Sequence, residues 1–301
     1  MKTIVTDPSF EYLWRNISEV HNMKQADLKF ETFPDGWPDL FIDDVKKTIE
    51  HRDVTYIWDF SNPETLFAHY STIRWLLDYY ADKVRIIMPY FPVWTMERID
   101  TKWQIATAKY YADIFNSLPT WREWKTSIHI LDIHALVERF FFDSDKISAE
   151  MHTAMSLVKD EIVWKTIGFP DEWAEKRFKG DFLNIDKIIC SKVREGTKRK
   201  VVLKEWNPEW KNILLVDDSI QTWWTILETA DLLRKKWAKS VSAFATHWVF
   251  PWDSHIELAK NLDKLLVTDS IPANNNRAEN IDNMYVLPIQ WMIQKIIYRD
   301  N

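Results

Sequence analysis

The chain has 301 residues, 46% of them hydrophobic, and a formal charge of −6. That is one large domain or two of ordinary size with enough apolar content for a core, so disorder is excluded, and the acidic balance argues against nucleic-acid binding. The apolar runs fall short of the roughly 18 residues of a membrane span, the start lacks a signal peptide's apolar stretch, and a lone cysteine, Cys190, excludes a disulfide scaffold and suits a reducing cytosol.

Short apolar runs rich in β-formers recur at residues 55–60, 84–91, 126–134, 162–169, 187–190, 212–216, 241–250 and 264–268. Several are apolar almost throughout rather than alternating, the pattern of strands covered on both faces. Helical spacing lies between them, at 104–116, 148–160 and 225–236; in the last, Ile226, Leu227, Ala230 and Leu233 share one face opposite charges. Strand and helix in alternation predict α/β domains with mainly parallel sheets. So many strands in this length suit two domains, expected at 1–155 and 156–301.

Two counts stand out: 4 glycines and 18 tryptophans. An ordinary glycine share of about 7% predicts roughly 21 glycines at this length. The shortfall is close to the excess of tryptophan, as if tryptophans stood where a backbone wants glycine.

The segment with most chemistry is 212–225, Asn-Ile-Leu-Leu-Val-Asp-Asp-Ser-Ile-Gln-Thr-Trp-Trp-Thr. An apolar strand ends in Asp217 and Asp218, and a short loop leads into a helix. A helix N-terminus offers free N–H groups and partial positive charge to a phosphate, and paired acids at a strand end hold sugar hydroxyls. The plainer alternative is a turn at the aspartates and a helix cap at Thr225.

This segment resembles the ribose-phosphate loop of the ribose-phosphate diphosphokinases (phosphoribosyl pyrophosphate synthetases), with Trp223-Trp224 where that family has Gly-Gly or Ala-Gly. Residues 88–100, 131–142, 168–178, 191–210, 246–251 and 267–272 are similar to the family in the same order. The wording at 90–98 and 204–210 is closest to the class II branch known from plants.

The resemblance implies two phosphoribosyltransferase-like domains, with the site between them at the carboxyl ends of strands. The implied reaction moves the diphosphoryl group of ATP to the C1 hydroxyl of ribose 5-phosphate, with Mg2+, in a cytoplasmic homo-oligomer. By position, Asp217, Asp218, Gln221, Thr222, Trp223, Trp224 and Thr225 match the ribose 5-phosphate site. Lys192 and Arg194 match the basic pair of a mobile catalytic loop, inside a run with local charge +5 whose plain reading is a solvated face. Asp35, Arg98 and His134 match the ATP side, and His134 with Asp171 the metal side. A phosphoribosyltransferase and a non-catalytic partner of a synthetase are the alternative functions. A transferase is expected to have one domain and no such basic loop.

Trp94, Trp103, Trp173, Trp206, Trp210, Trp223, Trp224, Trp237 and Trp248 all fall where the family is expected to have glycine. Some bacteria read the codon UGA as glycine, and reading it as tryptophan would generate this pattern. Trp37, Trp75, Trp164 and Trp291 have no assignment on this basis. With indoles at 223 and 224 the loop has no room for a phosphate, so as written it is expected to be inactive; a genuinely tryptophan-rich paralogue is the alternative.

Overall fold

The computed structural model describes residues 2–6, 8–13, 17, 23–78, 81–120, 125–195, 198–205, 207–221, 223–250 and 253–299. The chain divides into two compact units, one formed by Met1–His152 with Gln290–Asn301 and the other by Thr153–Ile289. The C-terminal helix, Gln290–Arg299, therefore belongs with the first unit.

The first unit is built on a parallel sheet of β1 (Lys2–Thr6), β2 (Lys24–Gln25), β5 (Asp53–Ile57), β6 (Lys83–Met88), β7 (Thr126–Leu131) and β8 (Ile147–His152), in the order β2-β1-β5-β6-β7-β8. A separate antiparallel hairpin joins β3 (Leu28–Thr32) to β4 (Pro38–Ile42). Every residue of β7 is buried, the polar Thr126, Ser127 and His129 included, as in a strand covered on both faces.

The spacing at 148–160 predicted a helix, and the structure corrects this. Residues Ile147–His152 form edge strand β8, and a short 3-10 turn follows at Ala154–Val158. Ile147 and Ala149 are buried while Ser148 and Glu150 are not, a period of two that the apolar residues further on had masked.

The second unit orders β11 (Lys198–Glu205), β10 (Lys187–Glu195), β9 (Thr166–Phe169), β12 (Asn212–Ile220), β13 (Ser240–Trp248), β14 (Leu265–Thr268) and β15 (Met284–Leu287) in one sheet. All neighbours are parallel except the β10–β11 pair. From β9 the chain builds outward one way through β10 and β11, and from β12 the other way through β13, β14 and β15. The switch between β9 and β12 is where α/β sheets open a ligand crevice at their carboxyl ends. Gly168 lets these two strands close up, since a Cβ there would lie 2.7 Å from Leu215 Cδ2 and 3.0 Å from Ile213 Cγ2. The helix Trp223–Lys235 lays Ile226, Ala230 and Leu233 on the sheet's core with Leu215, Ala243 and Trp248.

Candidate substrate site

Two strand exits meet at the switch point. Asp171 follows β9 directly and caps the helix Glu172–Phe178, accepting the N–H groups of Trp173 and Ala174 at 3.1 Å each through Oδ1. On the neighbouring strand β12, Asp217 accepts the N–H of Asp218 at 2.9 Å, and Asp218 is 5% exposed. Lost hydration, then the charges of Asp218 and Asp171, hold the Asp217 carboxyl well above the usual carboxylate range. The structure thus brings three of the expected residues into one electrostatic cluster. The aspartates precede the strand's end rather than forming it, because β12 continues to Ile220 with Ser219 and Ile220 paired to His247 and Trp248.

The helix after this strand begins at Trp223, so both indoles lie in its first turn, stacked with ring centres 3.9 Å apart. Gln221 is exposed, Thr225 is half-buried and its carbonyl accepts the Thr229 hydroxyl at 2.7 Å, and Thr222 lies outside the described residues.

The residues expected in the catalytic loop lie in two antiparallel strands. Lys192 stands opposite Val201 and Arg194 opposite Arg199 along β10 and β11. Val201 is buried and Leu203 packs on the core, and cross-strand hydrogen bonds then carry the ladder through a charged stretch that has no strand signature of its own. At the base, Lys204 pairs with Glu172 at 3.0 Å, next to Asp171.

In the first unit, Asp132, Ile133 and His134 follow β7. Asp132 has φ 35° and donates its N–H to the His152 carbonyl at 2.8 Å, a buried acid that the sequence reading had left out of the site. The ring of His134 packs against the buried Trp94 at 4.7 Å, and Trp94 donates its indole N–H to the Tyr90 hydroxyl at 2.9 Å. Asp35 lies in the exposed β3–β4 turn, where it accepts the N–H of Trp37 and where Gly36 takes φ 88°. Arg98 is exposed and pairs with Asp100 at 3.0 Å and Glu97 at 3.3 Å. Both therefore have local partners.

Among the described residues, four tryptophans have left-handed backbone: Trp103 (φ 71°), Trp164 (65°), Trp210 (59°) and Trp237 (66°). All four are largely exposed. A bulky residue at positive φ is rare, and glycine is the default there. Trp164 had no assignment from sequence; its backbone puts it in the same class.

A parallel two-unit α/β architecture with a carboxylate cluster at a strand switch is that of a nucleotide- or sugar-phosphate-handling protein. The phosphoribosylpyrophosphate synthetase of Mycobacterium smegmatis, solved by crystallography, superposes with a TM-score of 0.83 at 18% identity, covering 100% of this chain and 99% of that one, which shows the shared fold. No family model matches the chain. It is 36% identical over 259 residues to ribose-phosphate pyrophosphokinase 4 of Oryza sativa subsp. japonica, covering 81% of this chain and 79% of the relative. Ribose-phosphate pyrophosphokinase 4 of Arabidopsis thaliana is 34% identical over 276 residues, 87% and 81% of the two chains. The Campylobacter jejuni ribose-phosphate pyrophosphokinase is 28% identical. The chain belongs to the ribose-phosphate pyrophosphokinase family.

Proposed function

We propose that this enzyme transfers the β,γ-diphosphoryl group of ATP to the C1 hydroxyl of ribose 5-phosphate, giving 5-phosphoribosyl 1-pyrophosphate and AMP for nucleotide synthesis. The observation that carries the reading is the cluster of Asp171, Asp217 and Asp218 at the β9–β12 switch. Mutually repelling carboxylates, Asp218 buried and Asp171 and Asp217 half-buried, are poised for hydroxyl donors or a cation. In this reading Asp217 and Asp218 hold the ribose hydroxyls, and residues 221–225, including Thr222, Trp223, Trp224 and Thr225, surround its 5-phosphate. Asp35, Arg98 and His134 serve the ATP side. Lys192 and Arg194 meet the negative oxygens that develop during transfer, and positioning with charge neutralisation supplies most of the rate.

Oxygen donors of this kind suit Mg2+, which keeps several waters and binds through few carboxylates alongside substrate phosphates. Asp171, in the second unit, would hold one such ion, and His134, in the first, would serve another near the ATP phosphates through its water shell; when bound, the ions would neutralise phosphate charge. A cytoplasmic homo-oligomer is the proposed working form. No helix among the described residues is long and apolar enough to cross a membrane.

The same reading takes most tryptophans as glycines inserted at UGA codons. Left-handed backbone at Trp103, Trp164, Trp210 and Trp237 supports it, and so do the paired indoles crowding the first turn at 223–224. If the tryptophans are genuine, the stacked pair favours a non-catalytic partner of an active synthetase. The deciding experiment assays phosphoribosyl pyrophosphate formation from ATP and ribose 5-phosphate with two proteins: the chain as written, and one with glycine at the nine matched positions and at 164. Activity in the glycine protein alone supports both readings. A folded but inactive glycine protein overturns the synthetase reading.

A further inference from the structure

Away from the carboxylate cluster, β7 and β8 place three metal-ligating side chains together on the first unit's sheet. His129 is opposite Glu150 in the β7–β8 register, and His152 lies two residues further along β8, on the same face. One ligand atom from each of the three lies within 4.8 Å of the other two. His129 Nδ1 is 3.0 Å from His152 Nε2 and 3.8 Å from Glu150 Oε2. The two rings lie 25° from parallel with centres 5.2 Å apart.

We propose that His129, Glu150 and His152 form a binding site for a borderline divalent transition ion of the Zn2+ or Co2+ class. Atoms bonded to one ion at roughly 2.0–2.2 Å must lie within about 4.4 Å of each other. The two measured separations meet that limit, and Glu150, about half exposed, has the freedom to close the third. Ile128, Ile130 and Ala149 point to the opposite face of the sheet, where all three are buried, and on the ligands' own face the register sets Ser127 against Ser148 beside the cluster. Two imidazoles and one carboxylate therefore converge on one face of the β7–β8 pair. Two nitrogen donors and one oxygen select zinc-like ions over magnesium, which prefers all-oxygen shells. His129, almost fully buried, supplies the rigid anchor, and Glu150 leaves the ion reachable from solvent.

The site also has a structural position. It bridges edge strand β8 to β7, and the same His152 that supplies a ligand accepts the Asp132 N–H through its carbonyl. An ion there would fix the exit of β7, which leads directly into His134. None of the tryptophans lies in β7 or β8, so the site is the same whichever residue occupies the tryptophan positions.

The test is titration of the chelator-stripped full chain with zinc chloride by calorimetry, with Co2+ absorption spectra as a second readout. One site of roughly 1:1 stoichiometry is expected. His152→Ala and Glu150→Gln should each weaken it at least tenfold, while Asp171→Asn and His134→Ala leave it intact. Unchanged melting curves of the metal-free variants show that folding is preserved; should His152→Ala fail to fold, the exposed Glu150→Gln carries the test alone. Absence of a zinc site in the unsubstituted chain overturns the proposal. So does a site that survives both ligand substitutions, or one that disappears with Asp171→Asn or His134→Ala.

Discussion

Trp210 donates its backbone N–H to the carbonyl of Trp237 at 2.8 Å, and both residues sit in the left-handed region, at φ 59° and 66°. Trp237 follows the helix Trp223–Lys235 in a Schellman arrangement. Ala238 donates to Leu233 and Trp237 to Arg234, each at 3.0 Å. The residue at this position of the motif is usually glycine, because a Cβ is penalised there. Both indoles are more than 70% exposed, so no burial offsets the strain.

Trp237→Gly should therefore raise stability by about 1–2 kcal/mol, the relief of left-handed strain less the added entropy of an unfolded glycine. Urea unfolding of the single variant measures it. At the gene, UGA codons are expected at 103, 164, 210, 223, 224 and 237. UGG codons at 223 and 224 would remove the glycine reading.

Substituting the basic ribbon should separate rate from stability. Lys192→Ala and Arg194→Ala, made in the glycine-restored protein, are expected to lower turnover by orders of magnitude with little change in melting temperature, since β10 holds its place through backbone pairing. A normal kcat in either variant rejects a catalytic role for that residue.

The carboxylate cluster predicts a trade of binding against stability. Because the folded Asp217 carboxyl titrates above its unfolded value, the charged form is penalised in the native state at neutral pH. Its favourable contribution is present below about pH 4, the unfolded pKa, and is lost as pH rises through the folded one. Asp217→Asn should thus raise the melting temperature at pH 7–8, with the gain vanishing below about pH 4. Asp218→Asn should weaken ribose 5-phosphate more than ATP in calorimetric titrations; equal losses would assign the acids to metal or structure instead.

His69 predicts an acid-side loss. Its Nδ1 lies 2.9 Å from the Tyr56 hydroxyl among the rings of Trp58 and Phe60, and burial pushes the imidazole down to about 4 from its ordinary 6.5. The unfolded chain takes the proton first, so the stabilisation is intact above about pH 6.5 and is lost as pH falls toward 4. The total is on the order of 3 kcal/mol. Denaturation curves at pH 7.5, 5.5 and 4 should show this slope, and His69→Gln should flatten it.

Sequence alone determined the alternation of buried strands and helices, because strands covered on both faces must be apolar throughout and helices must show a stripe. Residues 212–216 and 225–236 were read within a few residues of the strand Asn212–Ile220 and the helix Trp223–Lys235. Asp217 and Asp218 were named from a local strand-loop-helix motif, and Asp171 from the family resemblance. The glycine deficit was legible as a count. Only the tertiary structure decided the rest. Strands β8 and β11 have weak patterns of their own, and form because parallel β7 and antiparallel β10 supply their hydrogen bonds. The convergence of Asp171 on Asp217 depends on β9 lying beside β12, a neighbour relation that no local spacing encodes. His129 and His152, 23 residues apart, meet through the register of two consecutive strands, which no local spacing encodes either. Which tryptophans stand on left-handed backbone is likewise a property of the turns around them, set by how each turn closes rather than by the residue it contains.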